Sequence, residues 1–195
     1  MIIASVAGAE LRFETAPHLF SPEKLDPGTL AMLSAVRFEA GDKVLDLGCG
    51  YGVVGVLAAM TTGPGAVWMV DNDPVAVELA ARNARLNGVE GINATLSDGL
   101  AEVRETGFTK ILSNPPYHAD FSVPKRFIEK GFNRLAIGGA LWMVTRREAW
   151  YRNKLTAIFG GVRVRSIDGY FVFEATKRSA SYASARPRQV PASGR

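Results

Sequence analysis

The sequence predicts an α/β fold in which a seven-stranded, mostly parallel sheet carries helices on both faces and an antiparallel strand at its C-terminal end. Three observations predict it. Short apolar runs rich in Val and Ile alternate along the chain with helical patterns, as in successive β-α-β units. Two of the helical segments begin with an aspartate-proline pair, and Asp168-Gly169 separates the last two apolar runs.

The strand candidates are short apolar segments bounded by turn residues. In chain order they are residues 43–47, 66–71, 92–96, 109–114, 140–145, 162–167 and 170–176. Because Asp-Gly is a strong signal for a two-residue hairpin turn, the last two strands should pair antiparallel. A further short strand is a candidate over residues 11–15.

Five helices fit between these strands. Asp26-Pro27 and Asp73-Pro74 each supply a capping side chain and a first-turn proline. They predict one helix over residues 27–37 and another from residue 74 to a stop at Asn87-Gly88. The remaining three helices are predicted over residues 52–60, 123–136 and 147–159.

Length and composition indicate one domain. A chain of 195 residues with 47% hydrophobic residues can bury a single sizeable core. We expect this domain over residues 1–177, with a short N-terminal extension (1–40) and a basic, disordered tail (178–195). No apolar run is long enough to cross a membrane, and a single cysteine, Cys49, fits a reducing compartment. The expected location is therefore the cytoplasm.

Charge is distributed unevenly along the chain. Residues 1–124 contain 8 basic and 15 acidic side chains, whereas residues 125–165 contain 10 basic and 2 acidic ones. A basic surface beside a site attracts polyanions such as RNA or DNA. Solvated helix faces would give the same count, so charge alone leaves both interpretations open.

A glycine-rich loop, GCGYGVVG at residues 48–55, follows the first strand of the sheet directly. Glycines allow a ligand to approach the backbone, and the helix after the loop presents free N–H groups. This order predicts a nucleotide-like ligand at the carboxyl ends of the strands. Residues 50–55 also match the dinucleotide fingerprint, with Asp71 about twenty residues further on as a ribose ligand. A nicotinamide-dependent oxidoreductase therefore remains an alternative.

Two carboxylates favour a different ligand. Asp46 lies at the end of the first strand, where it would repel a pyrophosphate but hold a cation. Asp98, after the third strand, is placed to accept a hydrogen bond from an adenine amino group. A ligand with ribose, adenine and a positively charged amino acid fits both, and S-adenosylmethionine has these groups.

The motif Asn114-Pro115-Pro116-Tyr117 follows the fourth strand. Two prolines cannot donate backbone hydrogen bonds, so a purely structural reason for them at a strand end is weak. The Asn114 side-chain oxygen and the Pro115 carbonyl can accept the two N–H groups of an amino group that attacks a methyl sulfonium. Tyr117 offers a flat face on which a base or an amide can stack. An ordinary turn remains the simpler interpretation of Asn-Pro taken alone.

In these features the sequence resembles the class I S-adenosylmethionine-dependent methyltransferases, whose fold is Rossmann-like. The resemblance rests on DLGCGYG, Asp71 and NPPY in this order over residues 43–117. It implies Asn114, Pro115 and Tyr117 as catalytic residues. It implies the following residues as ligands of the cofactor: Asp46, Gly48, Gly50, Gly52, Asp71, Asn72, Asp98 and Thr29.

Within that class, the flanking segments resemble the small-domain ribosomal RNA guanine-N2 methyltransferases. The similar segments are LFSPEKLDPGTLAML (19–33), NPPYH (114–118) and GYFVFEATK (169–177). The resemblance implies ribosomal RNA or a ribosomal subunit as partner, and Phe20, Gly28 and Thr29 as residues that close over cofactor or substrate. We expect this protein to act without the duplicated N-terminal domain with which larger members grip the ribosome. We expect the basic stretch 125–165 and the tail to take over that role.

Several alternatives stay open at this stage. Adenine N6 of RNA or DNA and a glutamine amide of a protein are acceptors with the same chemistry. A module that binds S-adenosylmethionine without activity is a further alternative. No metal is expected, because Cys49 and the single histidines His18 and His118 have no companion ligands nearby in sequence.

Overall fold

The computed structural model describes residues 1–6, 8–115 and 121–183. Within these ranges the strands are β1 (Ile2–Val6), β2 (Ala9–Phe13), β3 (Val44–Leu47), β4 (Val67–Asp71), β5 (Asn93–Leu96), β6 (Phe108–Ser113), β7 (Leu135–Thr145), β8 (Arg163–Ile167) and β9 (Tyr170–Thr176). The helices are α1 (Pro27–Ala35), α2 (Val53–Thr62), α3 (Pro74–Leu86), α4 (Ser122–Arg134) and α5 (Glu148–Phe159). A short 3-10 turn, Pro64–Ala66, precedes β4.

The main sheet has seven strands in the order β5-β4-β3-β6-β7-β9-β8. All neighbouring pairs are parallel except those of β9, which runs antiparallel to both β7 and β8. The α/β prediction with one antiparallel strand at the C-terminal end is therefore confirmed. Asp168 and Gly169 both have positive φ, 49° and 78°, as the predicted two-residue hairpin turn requires.

The sheet reverses its order of winding at β3, which lies between β4 and β6. Chain segments leaving β3 and β6 pass to opposite faces of the sheet. Helices α1, α2 and α3 contribute to the buried cluster on one face, and α4 and α5 to the cluster on the other. Such a reversal opens a crevice at the carboxyl ends of the strands, which is where α/β proteins bind ligands.

Alternating side chains of the strands fill these two cores. In β3, Val44 faces the first cluster and Leu45 the second, and neighbouring β6 continues the alternation with Leu112 and Ile111. Because parallel strands are buried on both faces, their sequences read as continuous apolar runs. Asp46 interrupts the run in β3 and is only 3% exposed.

The N-terminal segment forms a separate two-stranded hairpin, β1–β2, on the α3 side of the sheet. An asparagine of α3 and the one that follows this helix hold the end of β2: Asn83 Oδ1 accepts the N–H of Glu14 at 2.8 Å, and Asn87 Oδ1 accepts the N–H of Arg12 at 2.9 Å. The candidate strand over residues 11–15 is present as β2. Strand β1 was missed, because its five residues pair with β2 alone and lack a core-strand pattern.

The start of β7 and the first residues of the C-terminal tail differ from the sequence-based expectation. Strand β7 begins at Leu135, five residues before the predicted start, because Leu135 already pairs with Phe108 ahead of a register shift. Within the tail, Tyr182 packs edge-on against Phe132, and its hydroxyl donates to the Glu129 carbonyl at 3.0 Å. Tyr182 therefore lies against α4, and the tail beyond residue 183 is outside the described residues. None of the described helices has the length and apolar character needed to cross a membrane.

Candidate active site

A cavity of about 370 Å³ opens at the carboxyl ends of β3, β4 and β6. Segments that are distant in sequence meet in its wall: the glycine loop, the ends of β4 and β5, the start of α1 and the Asn114-Pro115 step. Among the predicted site residues, the cavity wall contains Asp46, Gly48, Gly50, Asp71, Asn72, Asp98, Thr29, Asn114 and Pro115. Tyr117 and His118 fall outside the described residues, so the catalytic role predicted for Tyr117 stays a prediction.

The glycine loop turns with positive φ at Gly48 (76°), Gly50 (52°) and Gly52 (94°). The N–H groups of Gly48 and Cys49 both donate to the Val70 carbonyl at 2.9 Å, which holds the loop against β4. Gly52 is absent from the cavity wall. A Cβ there would lie 3.0 Å from the Ala80 Cβ, so this glycine allows α2 to approach α3 closely.

Asp71 connects the end of β4 to the glycine loop. One carboxylate oxygen accepts the N–H of Gly50 at 2.8 Å, and the other accepts the N–H of Asp73 at 3.1 Å. Asp73 caps α3 through the N–H of Val75, as predicted. The sequence did not reveal the two backbone contacts of Asp71, which fix its carboxylate in the cavity wall beside Asn72.

Asp46 is a buried carboxylate in the cavity wall. Its Oδ2 accepts the N–H of Gly55 in the first turn of α2 at 2.9 Å. Burial raises the pKa of Asp46 to about 7; the hydrogen bond from Gly55 opposes this rise, and the nearby charge of Asp71 adds to it. A cationic group bound beside Asp46 would favour its ionised form. Burial also raises the pKa of the Cys49 thiol well above its ordinary value, which makes a thiolate nucleophile unfavourable.

Asp98 lies at the rim of the cavity, where it forms a two-point contact with Arg126. The guanidinium nitrogens lie 2.9 and 3.2 Å from the two carboxylate oxygens. The Asp98 side chain is 63% exposed, so a ligand can reach it alongside Arg126. The neighbouring Gly99 is required for close packing, since a Cβ at that position would lie 2.9 Å from the Phe127 ring.

Asn114 follows β6 at the centre of the sheet. Its amide nitrogen donates to Asp26 Oδ1 at 2.7 Å and to Thr29 Oγ1 at 3.0 Å. These two acceptors identify the nitrogen side of the amide and leave the oxygen as its acceptor group. Pro115 is buried beside it. The hydroxyl of Thr29, which we expected to bind the cofactor, thus contacts the predicted catalytic amide.

Asp26 is a site residue that the sequence did not reveal. We expected only a helix cap, and it does accept the N–H of Thr29 at 2.7 Å. The contact with Asn114 spans 88 positions of the chain. The available signal was the resemblance of segment 19–33, which contains Asp26-Pro27-Gly28-Thr29, to the small-domain ribosomal RNA guanine-N2 methyltransferases. That resemblance implied no role for Asp26.

Four basic residues, of which Arg126 lines the cavity, form a group that we call the basic side of the cavity. Lys125 and Arg126 lie in the first turn of α4, and Arg146 and Arg147 follow β7, which pairs with β6 up to Ser113 and Met143. All four side chains are exposed. In the part of the chain that the structure describes, no group of His, Cys, Asp or Glu side chains could hold a metal ion.

Known proteins are similar to this chain in sequence and in fold. Residues 10–174 match the family Methyltransferase small domain. The chain is 37% identical over 158 residues to the ribosomal RNA small subunit methyltransferase C of Hahella chejuensis, covering 79% of this chain and 46% of that protein. It is 33% identical over 168 residues to the ribosomal RNA large subunit methyltransferase G of Pseudomonas putida, covering 82% of this chain and 45% of that protein.

A solved structure of the 16S rRNA N2 G1207 methyltransferase of T. thermophilus, in complex with AdoMet and guanosine, superposes with a TM-score of 0.83 at 31% identity. The match covers 91% of this chain and 50% of that one. The chain therefore spans about half the length of these relatives.

Proposed function

From its membership of the methyltransferase small domain family, we propose that the protein transfers a methyl group from S-adenosylmethionine to an exocyclic amino group of a base in ribosomal RNA, with guanine N2 as the acceptor. The observation that carries the proposal is the position of Asn114. Asn114 lines the cavity, and its amide nitrogen donates to Asp26 and Thr29, so the oxygen is the acceptor that this amide can offer to a substrate amine.

The cavity offers the contacts that the cofactor needs. Asp71 and Asn72 would bind the ribose hydroxyls, and Asp98 the adenine edge. The glycine loop allows the methionine part to lie against the backbone, and Asp46 would face its ammonium group. Asp46 in this wall favours a cationic ligand over a dinucleotide, whose pyrophosphate it would repel.

The transfer itself needs orientation rather than a strong base. The lone pair of a guanine N2 amine is delocalised into the ring, so the amine is a weak nucleophile until it is held in line with the methyl group. Asn114 Oδ1 and the Pro115 carbonyl would accept its two N–H groups. The C–S bond breaks as the N–C bond forms, the sulfonium becomes a neutral thioether, and the methylated nitrogen then releases its proton to water.

The basic side of the cavity supports RNA as the substrate. Lys125, Arg126, Arg146 and Arg147 would contact phosphates around the target base, and Phe20, which lines the cavity and is 51% exposed, would stack on a base. Guanosine in the related T. thermophilus structure favours guanine over adenine. Ribosomal RNA as substrate agrees with the cytoplasmic location that the single cysteine predicts.

The test uses tritiated S-adenosylmethionine with purified small subunits, large subunits or deproteinised ribosomal RNA, followed by nucleoside analysis. We expect label in N2-methylguanosine, and no turnover with Asn114→Ala, which should still bind S-adenosylmethionine. Label in N6-methyladenosine would contradict the guanine assignment. Label in protein with unlabelled RNA, or thermal protection by NADH without protection by S-adenosylmethionine, would overturn the proposal.

A further inference from the structure

We propose that Asp26 is a positioning residue for methyl transfer, which fixes the orientation of the Asn114 amide and strengthens its oxygen as an acceptor. This inference rests on the proposed function, because it assigns Asp26 a role in that reaction. It goes beyond helix capping, which is the role that the Asp-Pro sequence indicates.

The geometry supports a shared anchor. Asp26 Oδ1 accepts two hydrogen bonds of 2.7 Å, one from the backbone N–H of Thr29 and one from the Asn114 amide nitrogen. Thr29 Oγ1 accepts a further hydrogen bond from the same amide nitrogen at 3.0 Å. Since an amide nitrogen has two hydrogens, these two acceptors can use both. The Asn114 amide plane is thereby fixed relative to the start of α1.

A second Asp-Pro helix start in the same chain shows that capping alone does not require this arrangement. Asp73 accepts the N–H of Val75 at 2.8 Å at the start of α3, and its side chain is 30% exposed. Asp26 is only 8% exposed, and among the described residues no Lys or Arg forms a salt bridge with it. A buried carboxylate without a cationic partner needs hydrogen-bond donors, and Asn114 supplies one of them.

Charge gives Asp26 an electronic effect as well as a geometric one. Hydrogen bonds from an amide nitrogen to a carboxylate polarise the amide and increase the negative charge on its oxygen. The accepting nitrogen becomes positively charged as the methyl group arrives. The Asn114 oxygen and the Asp26 charge behind it would therefore stabilise the transition state more than the bound substrate.

Three variants separate capping, orientation and charge. Asp26→Ser keeps a good cap for the N–H of Thr29 but is too short to reach Asn114. Asp26→Asn keeps an oxygen of the same reach without the charge. Asp42→Asn is the control for lost stability. Asp42 is as buried as Asp26 and accepts hydrogen bonds from Glu39, Thr109 and Lys110. It precedes β3 and therefore lies at the amino ends of the strands, away from the cavity.

We expect Asp26→Ser to lower kcat about 10- to 100-fold with KM values for RNA and S-adenosylmethionine within about 3-fold of wild type, as for a misplaced reacting group. Asp26→Asn should recover part of this loss. Asp42→Asn should lower stability and leave kcat within about 2-fold. Unchanged kcat in Asp26→Ser, or an equal loss of kcat in Asp42→Asn, would overturn the inference.

A spectroscopic measurement keeps the inference separate from the proposed function. The two side-chain amide protons of Asn114, observed by NMR, should exchange slowly in the wild type and move towards the values of exposed asparagine amides in Asp26→Ser. Unchanged Asn114 resonances in that variant would refute the positioning role. If the wild type methylates no RNA, the proposed function fails, and the same resonances still decide whether Asp26 orients Asn114.

Discussion

The carboxylate of Asp71, the last residue of β4, accepts a hydrogen bond at 2.8 Å from the backbone N–H of Gly50, which follows β3. The contact exists because β3 and β4 are parallel neighbours, so their carboxyl ends lie side by side at the same end of the sheet. A side chain expected to bind ribose therefore also restrains the glycine loop, against which we propose that the rest of the cofactor lies.

This double role predicts a large effect of Asp71→Ala on cofactor binding. The variant would lose the proposed ribose ligand and the restraint on Gly50, and a hydrogen bond to a charged group is worth about 1.5–3 kcal/mol. We expect the affinity for S-adenosylmethionine, measured by isothermal titration calorimetry, to fall about 10- to 150-fold. The affinity of Asp71→Asn, which keeps one acceptor oxygen, should fall less than that of Asp71→Ala. Equal affinity of wild type and Asp71→Ala would contradict this role of Asp71.

The buried carboxylate of Asp46 predicts a pH-dependent stability. Its pKa is about 7 in the folded protein against an ordinary value of 3.8, so the folded state binds the proton more tightly than the unfolded state. The contribution of this group is then fully present below pH 3.8 and is lost as the pH rises through about 7. Asp46→Asn should become progressively more stable than the wild type over this window, by about 4 kcal/mol at most.

The measurement is urea denaturation of the ligand-free proteins at intervals between pH 4 and 8. Asp42 provides a control of opposite sign. Burial opposes ionisation of Asp42, but hydrogen bonds from Lys110 and Thr109 outweigh it, and the pKa of Asp42 lies below its ordinary value. Asp42→Asn should therefore be less stable than the wild type at neutral pH. The difference should shrink as the pH falls through the folded pKa of Asp42. A pH-independent difference for Asp46→Asn would contradict the raised pKa.

Two glycines of the same loop should differ in their tolerance of alanine. Gly50 and Gly52 both have positive φ, but a Cβ at Gly50 meets nothing within 4 Å, whereas one at Gly52 meets Ala80 at 3.0 Å. Gly50→Ala should cost only about 1 kcal/mol of backbone strain. Gly52→Ala adds overpacking of about 1–3 kcal/mol. Chemical denaturation of the ligand-free variants measures the two losses of folding stability. Equal losses would contradict the overpacking, because they would mean that α2 and α3 move apart without cost.

The basic side of the cavity predicts a selective effect on RNA. Arg147→Ala should raise the KM for RNA about 3- to 10-fold at low salt, leave the affinity for S-adenosylmethionine unchanged and weaken the salt dependence of RNA binding. Arg85→Ala is the matched control, because Arg85 is also exposed but lies in the last turn of α3, at the other edge of the sheet. Similar effects of both variants would mean that RNA binding depends on total charge rather than on this surface.

Local sequence signals were sufficient for most of the secondary structure. The caps Asp26 and Asp73, the Asp168-Gly169 turn and the apolar runs predicted five helices and seven strands, and the structure has them with shifts of a few residues. The larger errors fall where pairing with a distant segment decides the outcome. Strand β1 exists only because β2 lies beside it, and β7 starts early because Leu135 meets Phe108.

For the site, the sequence by itself predicted residues that the structure places in the cavity wall: the glycine loop, Asp46, Asp71, Asp98 and the Asn114-Pro115 step. Their chemical roles stay predictions. These residues follow strand ends, and parallel strands bring their carboxyl ends together. Only the tertiary structure decided which groups touch. Asp71 accepts a hydrogen bond from Gly50, and Arg126 forms an ion pair with Asp98. Asp26 accepts a hydrogen bond from Asn114, 88 positions further along the chain. A hydrogen bond forms only when the donor–acceptor distance is correct to within a few tenths of an ångström, and the packing of the sheet and helices sets that distance.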